Sequence, residues 1–247
     1  MAEAEHKIYL QPTPVRIWHW INAFGIVTLA ISGAQIRFPE YITWLGSYKS
    51  AIQLHNVAGY VVAISFTLWF FYYMFVSRTM ANLYVPKMED LKSGIVKQAK
   101  FYFLTYFLGW DNPHHPTPDN KFNPMQKSAY LAIMFVLMPL VSLSGIFLTN
   151  VDPLRGIIIM LGGLKLLVGL HFILACCLIA FIPTHVYLAT LGRTPTEHIK
   201  TMWTGWEEEE GISHTIDRAA HQQRTTKKER HATKAVTDYR ADLPRWR

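Results

Sequence analysis

Charge is scarce in this chain, and what there is comes in blocks. Asp, Glu, Lys and Arg make up 17% of the 247 residues, against 51% hydrophobic residues; a soluble domain carries roughly 25% charged residues. Four stretches have no formal charge at all: 20 residues between Arg16 and Arg37, 28 between Lys49 and Arg78, 24 between Lys127 and Asp152, and 27 between Lys165 and Arg193. Each reaches the ~20 mostly apolar residues that a helix needs to cross ~30 Å of hydrocarbon. The shortage excludes a compact soluble enzyme. It predicts an all-α integral membrane protein, a four-transmembrane-helix bundle with spans at residues 16–36, 51–77, 128–150 and 164–191.

Other scarcities narrow the class further. The chain has 2 cysteines, Cys176 and Cys177, adjacent in the last run. Neighbours make a poor disulfide framework, and neither sits in a C-x-x-C-H pattern, which excludes covalent haem attachment. They read as small packing residues of a buried helix. No carboxylate lies inside the four runs, which weighs against a proton pump or ion transporter. The first run does not read as a cleavable signal peptide: it holds His19, Asn22, Trp18 and Trp20 in its first turns and lacks a small-residue cleavage pattern.

The 24 Lys and Arg residues are unevenly distributed. The segment up to Arg16 has 2, the next loop 2, the loop between spans two and three 7, the following loop 2, and the stretch after Gly192 has 11. Segments one, three and five share a side and hold 20 of the 24. The positive-inside rule places that side, and both termini, in the cytoplasm. The formal charge of +7 thus reflects topology and contact with membrane lipid, with no folded basic domain to bind nucleic acid.

Two domains follow: a membrane domain over 1–192 and a charged cytoplasmic tail over 193–247. Within the first, residues 86–108 open with Lys87, Lys92, Lys97 and Lys100 and turn aromatic at Phe101, Tyr102, Phe103, Tyr106 and Phe107. They predict an amphipathic helix along the inner membrane face. Residues 111–124 hold four prolines and read as an irregular return loop. The outer loop carries an apolar patch at 157–161. The tail mixes 11 basic with 9 acidic residues and is expected to order mainly against a partner.

Of 11 histidines, seven lie in polar segments and read as surface residues. His19, His55, His171 and His185 lie inside the runs, where an ionisable group is costly and faces the bundle interior with a partner. Such a partner is either another helix, through a hydrogen bond, or a metal. His171 and His185 are 14 positions apart, which at 100° per residue brings them to nearly one face, about 21 Å apart along the axis. Counting depth along each span pairs His55 with His171 near the outer side and His19 with His185 near the cytoplasmic side. Two facing imidazoles in a bundle are a site for a six-coordinate haem iron. Zinc fits less well, because it requires four converging ligands. Gly59, one turn after His55, leaves room for a flat macrocycle. Arg16, three residues before His19, either meets haem propionates or snorkels to the interface, and Lys165 has the comparable outer position.

The segment Val15-Arg16-Ile17-Trp18-His19-Trp20, the stretch Leu54 to Gly59, and His171 with His185-Val186-Tyr187 resemble the membrane cytochrome b subunits of nickel-iron hydrogenases. They are also similar to the formate dehydrogenase gamma subunit and to thiosulfate-reductase-type anchors, from about Pro14 to Thr190. The resemblance implies two stacked haems b in the pairing above. It also implies a quinone, menaquinone or ubiquinone, beside the inner haem near the start of the third span. There the matching residues are Asn123 and Gln126, with Phe122 where hydrogenase relatives commonly carry His. Both amides can donate to a quinone carbonyl or accept from a quinol. Asn123 followed by Pro124 is equally a helix start with an Asn cap. Pro183 is expected to kink span four near the same site.

The expected function is that of a di-haem electron-transfer subunit of a membrane oxidoreductase complex. It would carry electrons between an extracytoplasmic redox subunit and the quinone pool. Partners of the hydrogenase, formate dehydrogenase, thiosulfate or polysulfide reductase, or multihaem cytochrome type are implied. The alternatives are a stand-alone di-haem cytochrome b reacting with a small redox molecule, and a non-haem four-helix anchor whose histidines only bind helices together.

Overall fold

The computed structural model describes residues 7–105, 108, 113–114, 120–192 and 194–208. Four helices are long and apolar enough to cross a membrane: Thr13–Arg37, Tyr48–Val76, Pro124–Thr149 and Leu164–Ala189. Their surfaces are those of a protein whose solvent is lipid. Phe24, Val27, Ile64, Leu68, Phe75 and Ile173 are exposed, while Asn22, Ser32, Gln35, Ser65 and Ser144 are buried.

Each span begins or ends where local chemistry dictates rather than where charge runs out. Helix α1 (Thr13–Arg37) starts behind Pro12 with Pro14 in its first turn, three residues before Arg16. Helix α2 (Tyr48–Phe71) is capped by Ser47, whose hydroxyl accepts from the Ser50 amide, and runs on through a π-helical turn, Tyr72–Val76. The short helices α3 (Met80–Tyr84) and α4 (Ile95–Lys100) follow; π-turns flank α4, so that residues 88–105 are continuously helical. The third span joins α5 (Pro124–Ala132) to α6 (Met138–Thr149) through a π-turn at Ile133–Leu137. Pro139 explains it: lacking an N–H and crowding the preceding turn, proline forces the ladder to widen. Helix α7 (Arg155–Met160) lies in the next loop, and α8 (Leu164–Ala189) passes through Pro183 without interruption. Helix α9 (Glu197–Thr204) precedes Trp206–Glu208, which pairs with Lys7–Tyr9 as a two-stranded sheet.

Helices α1 and α2 pack along each other as a hairpin, and α6 packs on α8; α2 also touches α6. Small residues permit the first contact: a Cβ at Gly25 would run into Val62 Cγ2. Polar bonds fix its register. Asn22 Nδ2 donates to Ser65 Oγ at 2.8 Å. Gln35 holds the connecting loop by accepting from Leu45 N at 2.8 Å. The hydroxyl pair Tyr60–Thr149, at 2.8 Å, ties α2 to α6. An aromatic cluster of Trp18, Trp69, Tyr73, Tyr84, Phe122 and Phe135 fills the end of the bundle where α1 begins.

The inner-face helix expected over 86–108 has its described counterpart at 88–105. Its apolar side chains Met88, Leu91, Val96 and Phe103 are exposed, and Gln98 and Phe101 are buried. Its inner side is anchored by Asp90, whose carboxylate meets the buried Lys127 ammonium at 3.5 Å. In the outer-loop patch Ile158 is buried, whereas Ile157, Ile159, Met160 and Leu161 are exposed. One reading needs correction. Cys176 and Cys177 are free but exposed on the lipid-facing side of α8, so they do not pack a buried core. Folded structure also continues past residue 192: Trp20 stacks on Trp203 at 4.3 Å, and its indole N–H donates to the Met202 carbonyl at 3.0 Å. The tail beyond Glu208 lies outside the described residues, as does most of the return loop at 111–119. The described residues from Tyr9 to Glu207 form one compact unit.

Candidate functional site

Helix α8 carries an imidazole near each end, and each meets another from the α1–α2 hairpin. The ring centres of His19 and His185 are 6.1 Å apart, with planes inclined at 48°. Those of His55 and His171 are 6.3 Å apart, at 79°. The fit to a bound metal can be tested on these separations. Imidazole–metal bonds of about 2.0 Å on each side place two ring centres about 6 Å apart when one ion lies between them. Both pairs have that spacing. Among the described residues, His, Cys, Asp and Glu nowhere gather in threes around a common point. Each pair thus offers two nitrogen donors, and the remaining in-plane ligands must arrive with the group, as a porphyrin's do.

Around the His55–His171 pair the protein has built a cradle. Ser32 Oγ lies 3.0 Å from His55 Nδ1, and Ser144 Oγ lies 2.9 Å from His171 Nδ1. The next residue in each case is glycine: a Cβ at Gly33 would stand 3.2 Å from His55 Cε1, and one at Gly145 would stand 3.3 Å from His171 Cε1. Larger residues would press on both rings. Gly59 meets only Leu29 Cδ2, at 3.8 Å from a Cβ placed there, so packing within the protein does not require glycine at that position. Lys165 is exposed, whereas the Arg37 guanidinium lies over Phe172, beside His171, at 5.4 Å.

The His19–His185 pair has a different surround. Phe181 stacks on His185 at 5.4 Å, and Trp20 meets His19 edge-on at 5.2 Å. Arg16 donates to the Trp203 carbonyl and, at 2.9 Å, to Thr13 Oγ1. The guanidinium Nε of Arg16 and Nδ1 of His19 are buried without a protein partner. Buried polar atoms are normally satisfied, so this end of the bundle has donors to spare for an acidic, planar ligand.

Asn123 and Gln126 form a reciprocal capping box at the start of α5. Asn123 Oδ1 accepts from Gln126 N at 2.9 Å, and Gln126 Oε1 accepts from Asn123 N at 3.0 Å. Asn123 Nδ2 donates to Tyr102 OH at 2.8 Å. The helix-start reading therefore accounts for the oxygens of both amides, and Gln126 retains its NH2. Behind them Lys121 is buried, donating to Gln11 Oε1 at 3.1 Å and to Tyr73 OH at 3.4 Å. Burial pushes its ammonium down to about 8. Burial likewise raises the Tyr102 phenol.

Sequence reasoning reached the four histidines and missed Ser32, Gly33, Ser144 and Gly145. The signal was present: a Ser-Gly dipeptide occurs in the first and third charge-free runs, at the depth of His55 and His171.

A helical membrane bundle holding paired imidazoles defines a class, the b-type membrane cytochromes. The chain belongs to the prokaryotic cytochrome b561 family, whose pattern matches residues 10–205. A protein of Escherichia coli (strain K12) named as a cytochrome, YdhU, is 32% identical over 202 residues, covering 81% of this chain and 74% of that one. A Ni/Fe-hydrogenase B-type cytochrome subunit of Azotobacter vinelandii is 28% identical over 222 residues, covering 81% and 88%. The formate dehydrogenase cytochrome b556(fdo) subunit of Escherichia coli (strain K12) is 41% identical over 64 residues, 24% of this chain and 30% of that subunit. The protein is thus a bacterial membrane cytochrome, and its family implies haem b.

Proposed function

We propose that this chain is a di-haem cytochrome b subunit that carries electrons between an extracytoplasmic redox subunit and the membrane quinone pool. The observation that carries this reading is that two imidazoles of one helix, α8, each face an imidazole of the α1–α2 hairpin, at 6.1 and 6.3 Å, separations that suit two nitrogen donors to a single ion. His55 and His171 would hold the outer haem, and His19 and His185 the inner. Haem iron supplies a reversible one-electron couple. The chain's own contribution would be to supply two histidine ligands to each haem, exclude water from the bundle and set the spacing of the two sites. That spacing is about 21 Å along α8 from the helix rise.

Arg16, whose Nε has no hydrogen-bond partner among the described residues, would meet propionates at the inner site. The NH2 of Gln126 is the group of the capping box left to donate to a quinone carbonyl, with Asn123 holding it in register. The relatives named as hydrogenase and formate dehydrogenase subunits support an oxidoreductase partner. The distribution of basic residues supports a cytoplasmic side for both termini and residues 88–105. Adding a water-soluble menaquinol or ubiquinol analogue to the oxidised protein should produce reduced haem absorption bands within seconds. Haems that dithionite reduces and no quinol does would contradict the quinone assignment.

A further inference from the structure

The outer-level site contains the same device twice, on different helices. Ser32-Gly33 of α1 meets His55, and Ser144-Gly145 of α6 meets His171. The hydrogen of each serine is already committed. Ser32 donates to the Thr28 carbonyl at 2.7 Å, and Ser144 donates to the Val141 carbonyl at 3.0 Å. A hydroxyl has one hydrogen and two lone pairs, so toward the imidazole each serine can only accept. The hydrogen in the Ser–His contact must then come from the ring. Nδ1 carries it, and in the neutral imidazole Nε2 is left with its lone pair. The glycine beside each serine lets the ring come close enough for this contact. His19 lacks the arrangement: among the described residues its Nδ1 is buried with no hydrogen-bond partner.

We propose that Ser32 and Ser144 are positioning residues that lock His55 and His171 as Nδ1–H tautomers and thereby lower the reduction potential of the outer haem. A hydrogen bond from Nδ1–H leaves more electron density on the ring, making Nε2 a stronger donor and favouring ferric over ferrous iron. The two haems then differ in potential through their second coordination shell although both are held by two histidines. This inference rests on the assignment of His55 and His171 as ligands of one haem.

The test is a potentiometric titration of the purified, haem-loaded protein, followed optically, with haem content measured in each sample. The variants are Ser32→Ala, Ser144→Ala, the double variant and the corresponding threonines. The outer transition should move to more positive potential, by up to about tenfold in the equilibrium constant, which is about 59 mV for one electron. The inner transition should stay in place, and threonine, which keeps the acceptor oxygen, should restore the parental value. Loss of the outer haem from the alanine variants with retention in the threonines would also support the positioning role. Two haems with an unmoved outer transition, equal movement of both, or the same result from alanine and threonine would overturn it. A parental protein without haem, or a His171→Ala variant that keeps both transitions, would instead overturn the ligand assignment beneath it.

Discussion

His171 and His185 stand 14 positions apart on α8, and each faces an imidazole contributed by the other hairpin. One helix therefore carries one member of both pairs, and the α1–α2 hairpin supplies the opposite imidazoles in reverse order along its length. This follows from antiparallel topology. A chain that goes in on α1 and returns on α2 presents an early residue of α1 at one level and an early residue of α2 at the other.

The glycines at the outer site provide a packing test. A methyl group at Gly33 or Gly145 would sit 3.2 or 3.3 Å from an imidazole Cε1, close enough that the ring must give by a few tenths of an ångström. Gly33→Ala and Gly145→Ala should cost about 1–3 kcal/mol by overpacking and lower occupancy of one haem only. Gly25→Ala is the contrast, since its Cβ would strike Val62 on the α1–α2 contact away from the rings. Thermal unfolding with haem content per chain separates them: Gly25→Ala should lower the midpoint without changing the ratio of the two haems.

Much of this arrangement was legible in the sequence because a membrane span is written in a long, charge-free run, and depth along a span is simple counting. Helix ends were less legible. Thr13, Tyr48 and Pro124 lie outside the uncharged runs, and their helices begin there because Pro14, the Ser47 cap and the Asn123 box say so. The continuation past residue 192 was hidden because α9 has few aliphatic residues. Long-range contacts hold it, among them those from Arg16 and Trp20, and no local pattern announces them. The serines escaped notice for a similar reason: a Ser in a membrane helix ordinarily bonds its own preceding turn, and both do so while also meeting a histidine.

Asn123 and Gln126 do separable work. Asn123→Ala removes the N-cap and the bond to Tyr102, which should lower stability by roughly 0.5–2 kcal/mol. Gln126→Leu loses one half of the capping box as well as the free NH2. It should slow quinol-driven haem reduction with both absorption spectra intact. Parental quinol rates in Gln126→Leu would move the quinone away from this helix start.

Lys121 gives a pH dependence of predictable sign. Burial lowers its folded value to about 8 from 10.5, so between those values the unfolded chain binds more protons than the folded one. The penalty for a buried ammonium is therefore full below pH 8 and disappears as pH rises toward 10.5. Stability in detergent should increase across pH 8–10 by up to roughly 3 kcal/mol from this group. Lys121→Met should flatten that rise, measured by unfolding midpoints of the two proteins side by side. An equal rise in both would assign the dependence to other groups.

Topology can be read with fused reporters. Those at residues 50 and 155 should appear outside, and those at residue 95 and the C-terminus inside, because 20 of the 24 basic residues lie on the second side. A reporter at residue 95 found outside would reverse the membrane orientation and exchange the haem that faces the cytoplasm.

The central claim is two haems held by two imidazole pairs, and a pyridine haemochrome assay on the purified chain tests it most directly. The parental protein should release two non-covalent haems b per chain. His55→Ala and His171→Ala should each keep one, His19→Ala and His185→Ala should each keep the other, and the two residual spectra should differ. A parental chain that carries no haem, a single haem, or haem that solvent does not extract would contradict the account.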